Sequence, residues 1–226
     1  MLKGFTWIVA SAAIVAPAIW AQEETPDHRL RSSADVFREV MSAPDKGIPS
    51  DLLEKAQCVI IVPGLKKAAF IVGGNYGKGY ALCRHEGGWT GPAALTLGGG
   101  SFGLQIGAES TDVIMLVMDR KGMENLARDK FTIGADASAA AGPVGRTTNA
   151  ATDASLHAEM LSWSRAHGVF AGVSLNGTVV AKDGPEDRKI YGMDVSNEAI
   201  LRGSVPPPEV ARELTSLLGR YPRVRS

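Results

Sequence analysis

The sequence predicts an α+β fold: a mainly antiparallel, strongly curved or barrel-like glycine-rich sheet with helices at the N- and C-terminal ends. Strand-like apolar runs crowd the middle of the chain, whereas helical periodicity marks its two ends. Turn sequences typical of hairpins dominate, and long crossover helices are missing. Glycines fall on strand-like segments, where they weaken a flat strand and mark bends, bulges or close backbone approach.

From the N-terminus, an apolar run from Phe5 to Trp20 follows the single charge of Lys3 and ends in small residues before Gln22, Glu23 and Glu24. This is the layout of a secretory signal peptide at 1–21. The run is short for a bilayer span, which needs about 20 apolar residues. A polar flexible segment is expected at 22–29, a single domain at 30–219 and a tail at 220–226. Leu30, Ala34, Phe37 and Met41 recur at helical spacing and predict an amphipathic helix ending before Pro44. Pro49 to Ala56 fits a short helix capped by Ser50 or Pro49.

The β-branched run Cys58–Val62 reads as a strand closed by Pro63-Gly64. Ala68–Gly73 and Lys78–Cys83 read as strands flanking a turn at Gly74-Asn75-Tyr76-Gly77. Gly87-Gly88 marks a further turn. Pro92–Ala108 carries Gly98, Gly99, Gly100, Gly103 and Gly107, and Asp112–Met118 is a strand followed by a helix at Arg120–Arg128. Asn176-Gly177 between apolar runs predicts a hairpin of Gly168–Leu175 with Thr178–Lys182. The acids Asp183, Glu186 and Asp187 suit the start of a short helix. After Pro206-Pro207-Pro208, Glu209–Leu218 presents Val210, Leu214, Leu217 and Leu218 on one helical face.

Composition bounds the function. The 226 residues contain 45% apolar and 21% charged residues, an ordinary globular mixture. Lys plus Arg and Asp plus Glu both number 24, which gives no global attraction to nucleic acid. The two cysteines, Cys58 and Cys83, leave two readings: a disulfide, or two buried free thiols. A three-strand meander would place them on strands separated by a middle one, about 10 Å apart, which opposes a bond. No C-x-x-C or zinc spacing is present, and neither a metal nor a cofactor is expected.

Gly99-Gly100-Ser101-Phe102-Gly103 matches G-x-S-x-G, but Leu104-Gln105-Ile106 continues as strand where a nucleophile elbow needs a helix. Gly73–Gly79 lacks the spacing of a phosphate loop. His28, His85, His157 and His167 show no catalytic pairing, so no catalytic residue is assigned and no enzyme is expected. Basic residues suggest a different role. Arg29, Arg31 and Arg38 on the first helix, Lys66 and Lys67 after Pro63-Gly64, and Lys78 could form a footprint for anionic lipid, each contributing about 1 kcal/mol. The opposing reading is that the first helix buries its apolar face in the core and leaves its arginines in water.

The blocks Cys58–Tyr80, Gly88–Ala93, Gly98–Gly107, Thr111–Met118, Phe131–Asp136, Gly142–Gly145 and Gly168–Gly177 resemble, in order, the core of the SYLF (Ysc84-type) family. The resemblance covers most of the chain after residue 21. It implies non-enzymatic phospholipid binding; eukaryotic members are tied to phosphoinositides, endocytosis and actin through attached SH3 or other modules. In some relatives a basic N-terminal amphipathic helix contacts lipid, and Arg29, Arg31 and Arg38 fall at a comparable place. The export signal and single domain suggest a bacterial protein that is periplasmic or secreted and peripherally membrane-associated. Its expected partner is an anionic phospholipid or membrane surface; an envelope structural or protein-interaction module is the alternative.

Overall fold

The computed structural model describes residues 24–42, 47–70, 72–86, 88–102, 107–144, 157–166 and 169–222. The expected signal peptide at 1–21, Gly87, Gly103, Gly145, His167, Gly168 and the last four residues of the expected tail lie outside them.

The described chain opens with helix α1 (Pro26–Ser42) and the short α2 (Ser50–Lys55). Five strands follow: β1 (Cys58–Phe70), β2 (Val72–His85), β3 (Gly88–Trp89), β4 (Ala93–Phe102) and β5 (Gly107–Val117). Helix α3 (Arg120–Leu126) leads to β6 (Lys130–Thr132), β7 (Ala139–Ala141), β8 (Met160–Ala166), β9 (Val169–Gly172) and β10 (Val179–Lys182). Helices α4 (Gly184–Tyr191) and α5 (Asn197–Leu201), a 3₁₀ turn at Glu209–Ala211 and α6 (Arg212–Gly219) complete the described chain. The strands form one sheet in the order β6-β10-β4-β2-β1-β5-β8-β7, with β3 on β2 and β9 on β8. Each of these pairings is antiparallel except β7 with β8.

The curl follows from the connection between β9 and β10. β9 pairs with β8 near one edge, whereas β10 lies between β4 and β6 near the other. In a flat sheet these strands would stand about 29 Å apart. The chain from Gly172 to Val179 can span only about 25 Å when fully extended. It also contains a tight turn, in which Thr178 N–H donates to Leu175 at 3.0 Å and Gly177 has φ +83°. The edges must therefore approach each other, giving a half-barrel. Phe131 near one edge and Met160 near the other share a buried cluster with the central strands, so this face lies inside the curl.

The opposite face carries the helices. Val59, Ile61, Tyr80, Leu82, Ile114, Leu116 and Trp163 pack there with Leu30 and Phe37 of α1, Leu53 of α2, and Leu214 and Leu218 of α6. The expected apolar stripe of α1 is thus core, and its charged residues other than Arg29 line the outside.

Several local expectations are corrected. The helix begins at Pro26, inside the segment expected to be flexible; of the two N-cap candidates for α2, Pro49 occupies the position. Pro63-Gly64 does not end β1. It forms a bulge at which the registers with both β2 and β5 shift, the setting in which a strand accepts a residue without an N–H. Gly64 takes φ +60°, and its N–H donates to Asp112 Oδ1 at 2.9 Å. Gly74–Gly77 is not a turn: it runs inside β2, paired to β1 and β4, and the hairpin closes at Phe70↔Val72. The bend of β1 presses onto Gly77 and Gly79. A Cβ at 77 would stand 2.7 Å from Leu65 and 2.9 Å from Val62, and one at 79 would overlap the Ile61 carbonyl.

With no middle strand, Cys58 and Cys83 become direct partners across β1 and β2, and their sulfurs are bonded. The 10 Å separation fails because one long hairpin replaces the three-strand meander. Closing this 25-residue separation contributes about 3.5 kcal/mol on the chain-entropy account. Asn176-Gly177 does form a turn, but its flanking strands pair elsewhere, so it makes no hairpin.

Candidate functional site

The six basic residues expected to form one footprint are dispersed. Arg29 points into the core, 5% exposed, and is ion-paired to Glu186 of α4; its guanidinium also donates to the Glu24 carbonyl at 2.9 Å. Tyr80 Oη donates to the same Glu186 carboxylate at 2.9 Å. Burial pushes the Tyr80 hydroxyl far above its ordinary pKa, reinforced by the Glu186 charge. Burial lowers the Arg29 pKa, but Glu186 and its other partners outweigh this, and the guanidinium ends above its usual range. Lys78 reaches from β2 to Asp183, the N-cap of α4, at 2.8 Å. Its pKa rises mainly through that hydrogen bond. These two cations anchor α1, β2 and α4.

Beside them, Asp187 accepts from Ala94 N–H at 2.7 Å and is fully buried. Burial, opposed by that bond and reinforced by Asp183 and Glu186, pushes its pKa up to about 7.

Arg38 lies on the outer surface of α1, bonded to Asp35 at 2.5 Å and to Glu213 of α6 at 2.6 Å. Arg31 is exposed two turns earlier, with no ion-pair partner among the described residues. Lys66 and Lys67 are adjacent in β1 and therefore point to opposite faces of the sheet. Lys66 is on the helix-covered face, beyond the end of the helical layer, and has no ion-pair partner among the described residues.

Two features meet at Lys66. The first is a lateral row on one face: Ser110 of β5, Lys66 of β1, Tyr76 of β2, Gly98 of β4 and Val179 of β10 are successive cross-strand partners. Tyr76 is 54% exposed and Val179 36%, and Gly98 places no side chain between them. The second is a cleft of about 380 Å³ between α1 and the sheet. Ser32, Asp35 and Val36 form its helical wall, and the Pro63-Gly64 bulge, Lys66, Ser110 and Asp112 form the sheet side. Arg165 of β8 closes it, bonded to Asp112 at 2.6 Å and paired with Glu39 of α1.

Tyr76, Asp112, Arg165 and Val179 were missed by the sequence reading. Tyr76 was assigned to a turn, and Arg165 and Asp112 are 53 residues apart. The usable signal was the strand alternation that puts Lys66, Tyr76 and Lys78 on a common face.

An exposed sheet face with an adjoining polar cleft, on a scaffold whose buried charges act as anchors, describes a binding domain. The comparisons with known proteins agree at that level. The family model described as Ysc84, Las17-binding protein actin regulator, matches residues 98–221. The chain belongs to this Ysc84 (SYLF) family, whose domains bind and regulate. It is 36% identical over 175 residues to an SH3 domain-containing protein of Schizosaccharomyces pombe, covering 76% of this chain and 40% of that one. It is 32% identical over 178 residues to LAS seventeen-binding protein 3 of Saccharomyces cerevisiae, covering 77% and 39%. It is 31% identical over 189 residues to SH3 domain-containing YSC84-like protein 1 of Homo sapiens, covering 82% and 55%. The chain thus spans about two fifths to just over half of these relatives.

Proposed function

We propose that this domain binds anionic phospholipid at a bilayer surface without carrying out chemistry, as an exported and peripherally membrane-associated protein. The observation that carries this reading is the row Lys66–Tyr76–Gly98–Val179. An aromatic ring with a polar tip, a half-exposed aliphatic side chain and an ammonium with no ion-pair partner among the described residues share one strand face. Aromatic rings of this kind sit at the level of lipid head groups, and a lysine near a charged membrane contributes about 1 kcal/mol. Arg31, exposed on α1, adds a second cation.

The non-enzymatic part is supported by Ser101, which lies in β4 opposite Gly73 of β2, in a strand ladder instead of on a strand-to-helix elbow. Export is supported by the sequence of residues 1–21 alone. Fractionation of cells expressing the full chain is expected to yield a protein beginning near Gln22 outside the cytosol; an unprocessed cytosolic product overturns that part.

Flotation with vesicles of graded anionic content tests the binding. Recovery is expected to rise with anionic fraction and fall with salt, and Lys66→Ala or Tyr76→Ala should each weaken binding about fivefold, the equivalent of about 1 kcal/mol. No flotation at low salt, or flotation indifferent to lipid charge, overturns the proposal. The relative named LAS seventeen-binding protein 3 favours a second reading, a protein-interaction module. One stoichiometric protein partner retained from envelope extracts, with no vesicle binding, would replace the lipid reading by this one.

A further inference from the structure

The cleft beside α1 differs in charge from the surface it adjoins. Arg165 is held between Asp112 and Glu39, which leaves one negative charge in excess, and Asp112 also holds the Gly64 N–H, so the Arg165–Asp112 pair serves the bulge and not a ligand. The remaining charges are Lys66 on the sheet side and the carboxylates of Glu24 and Asp35 on the helix side. Asp35 has Arg38 as its ion-pair partner among the described residues, on the solvent side of α1. Glu24 is paired with His28 and Arg29.

A bare phosphate entering the cleft gains Lys66 but meets carboxylates; a simple amine meets the reverse. A phosphate ester bearing an ammonium satisfies both walls, with Ser32 and Ser110 available as hydroxyl partners. An ammonium with N–H donors suits Asp35 as acceptor, whereas a trimethylated one has no proton to give.

We propose that this cleft is a head-group subsite for a phosphate ester bearing a primary ammonium, the phosphoethanolamine group of a membrane lipid, with Lys66 on the phosphate and Asp35 on the ammonium. The inference rests on the membrane reading above. It adds discrimination between head groups at constant surface charge.

The test uses the full chain without its export segment and vesicles of one fixed anionic fraction, the remainder being phosphatidylcholine or phosphatidylethanolamine. Flotation is expected to be severalfold stronger with phosphatidylethanolamine. Asp35→Asn, an exposed helix position that leaves the core untouched, should abolish that preference while keeping the dependence on anionic lipid. Lys66→Ala should weaken binding to both mixtures. Soluble glycerophosphoethanolamine should compete with the phosphatidylethanolamine vesicles and shift the amide resonances of Gly64 and Ser110. Equal flotation on both mixtures, or a preference that survives in Asp35→Asn, overturns the subsite. Loss of vesicle binding with the amide shifts retained in wild type and absent in Asp35→Asn sinks the membrane reading and supports the subsite.

Discussion

At the scale of single residues, glycine in β2 is a packing requirement set by its neighbour strand. Gly79 faces the bend of β1, where a methyl group would overlap the Ile61 carbonyl and come within 2.8 Å of Val62. Backbone cannot rotate away as a flexible side chain can, so Gly79→Ala is expected to cost about 2–3 kcal/mol, the upper range for overpacking. Urea unfolding checks this, with Gly100→Ala as the control, since a Cβ there meets nothing within 4 Å. Asp187 gives a second prediction. Its folded pKa, about 7, lies above the ordinary carboxylate value, so the folded state binds the extra proton. Stability from this group is complete below about pH 4 and is lost progressively as pH rises to about 7. Asp187→Asn keeps an oxygen for Ala94 N–H and cannot ionise. Melting curves from pH 4 to 8 should therefore be flatter for the variant, which gains on the wild type as pH rises. A wild type with no loss of stability over this window contradicts the assignment. Such residue environments were hidden from the sequence. The acids at 183–187 were legible as a helix start, but nothing local reveals that Asp187 is buried against β4.

At the scale of elements, much was readable because apolar periodicity reports which face is buried. Leu30, Ala34 and Phe37 located α1 and its core face, and the acidic cluster located α4. Pairing was less legible, because turn chemistry announces a change of direction and not the partner that follows. Asn176-Gly177 turns the chain as expected, yet β9 and β10 go to different neighbours. Gly74–Gly77 has turn composition but is held straight by ladders on both sides. The basic footprint failed to assemble for a related reason: a charge pattern on a helix does not show that Arg29 has a buried acid waiting 157 residues away. That pair links α1 to α4 and makes the third prediction. Glu186→Gln leaves the buried Arg29 charge with only the more exposed Glu24 carboxylate, 3.5 Å away, and breaking one partner of a buried pair costs about 3–5 kcal/mol. Arg29→Met with Glu186→Leu removes both charges and should recover a large part of the loss. Denaturant unfolding of the single and double variants measures this. Hydrogen exchange should place the weakening in the first turns of α1.

At the scale of the whole molecule, the curled α+β architecture was legible from glycine on strands and helices at the ends, but the closure was not. It depends on a segment that reads as an ordinary hairpin arm. Residues 173–178 run from the β8–β9 edge to the β10–β6 edge. Val173 N–H donates to Ser162 at 3.1 Å, and Gly177 N–H donates to Ile133 at 2.8 Å. Between those bonds Leu175 is 4% exposed, in the cluster that also holds Phe131 and Met160. This side chain belongs to the interior of the curl and the two bonds tie its edges, so the segment acts as a strap across the half-barrel. Leu175→Ala is expected to cost about 2–5 kcal/mol by transfer and cavity formation. A strap makes a sharper prediction than a core residue alone. Protection against hydrogen exchange should fall together in β6, β9 and β10, while the central β1–β2–β5 ladders keep theirs. An equal loss across all strands would show that the edges are held by the sheet itself. A loss confined to residues near 175 would show that the two edges are not coupled through this crossing.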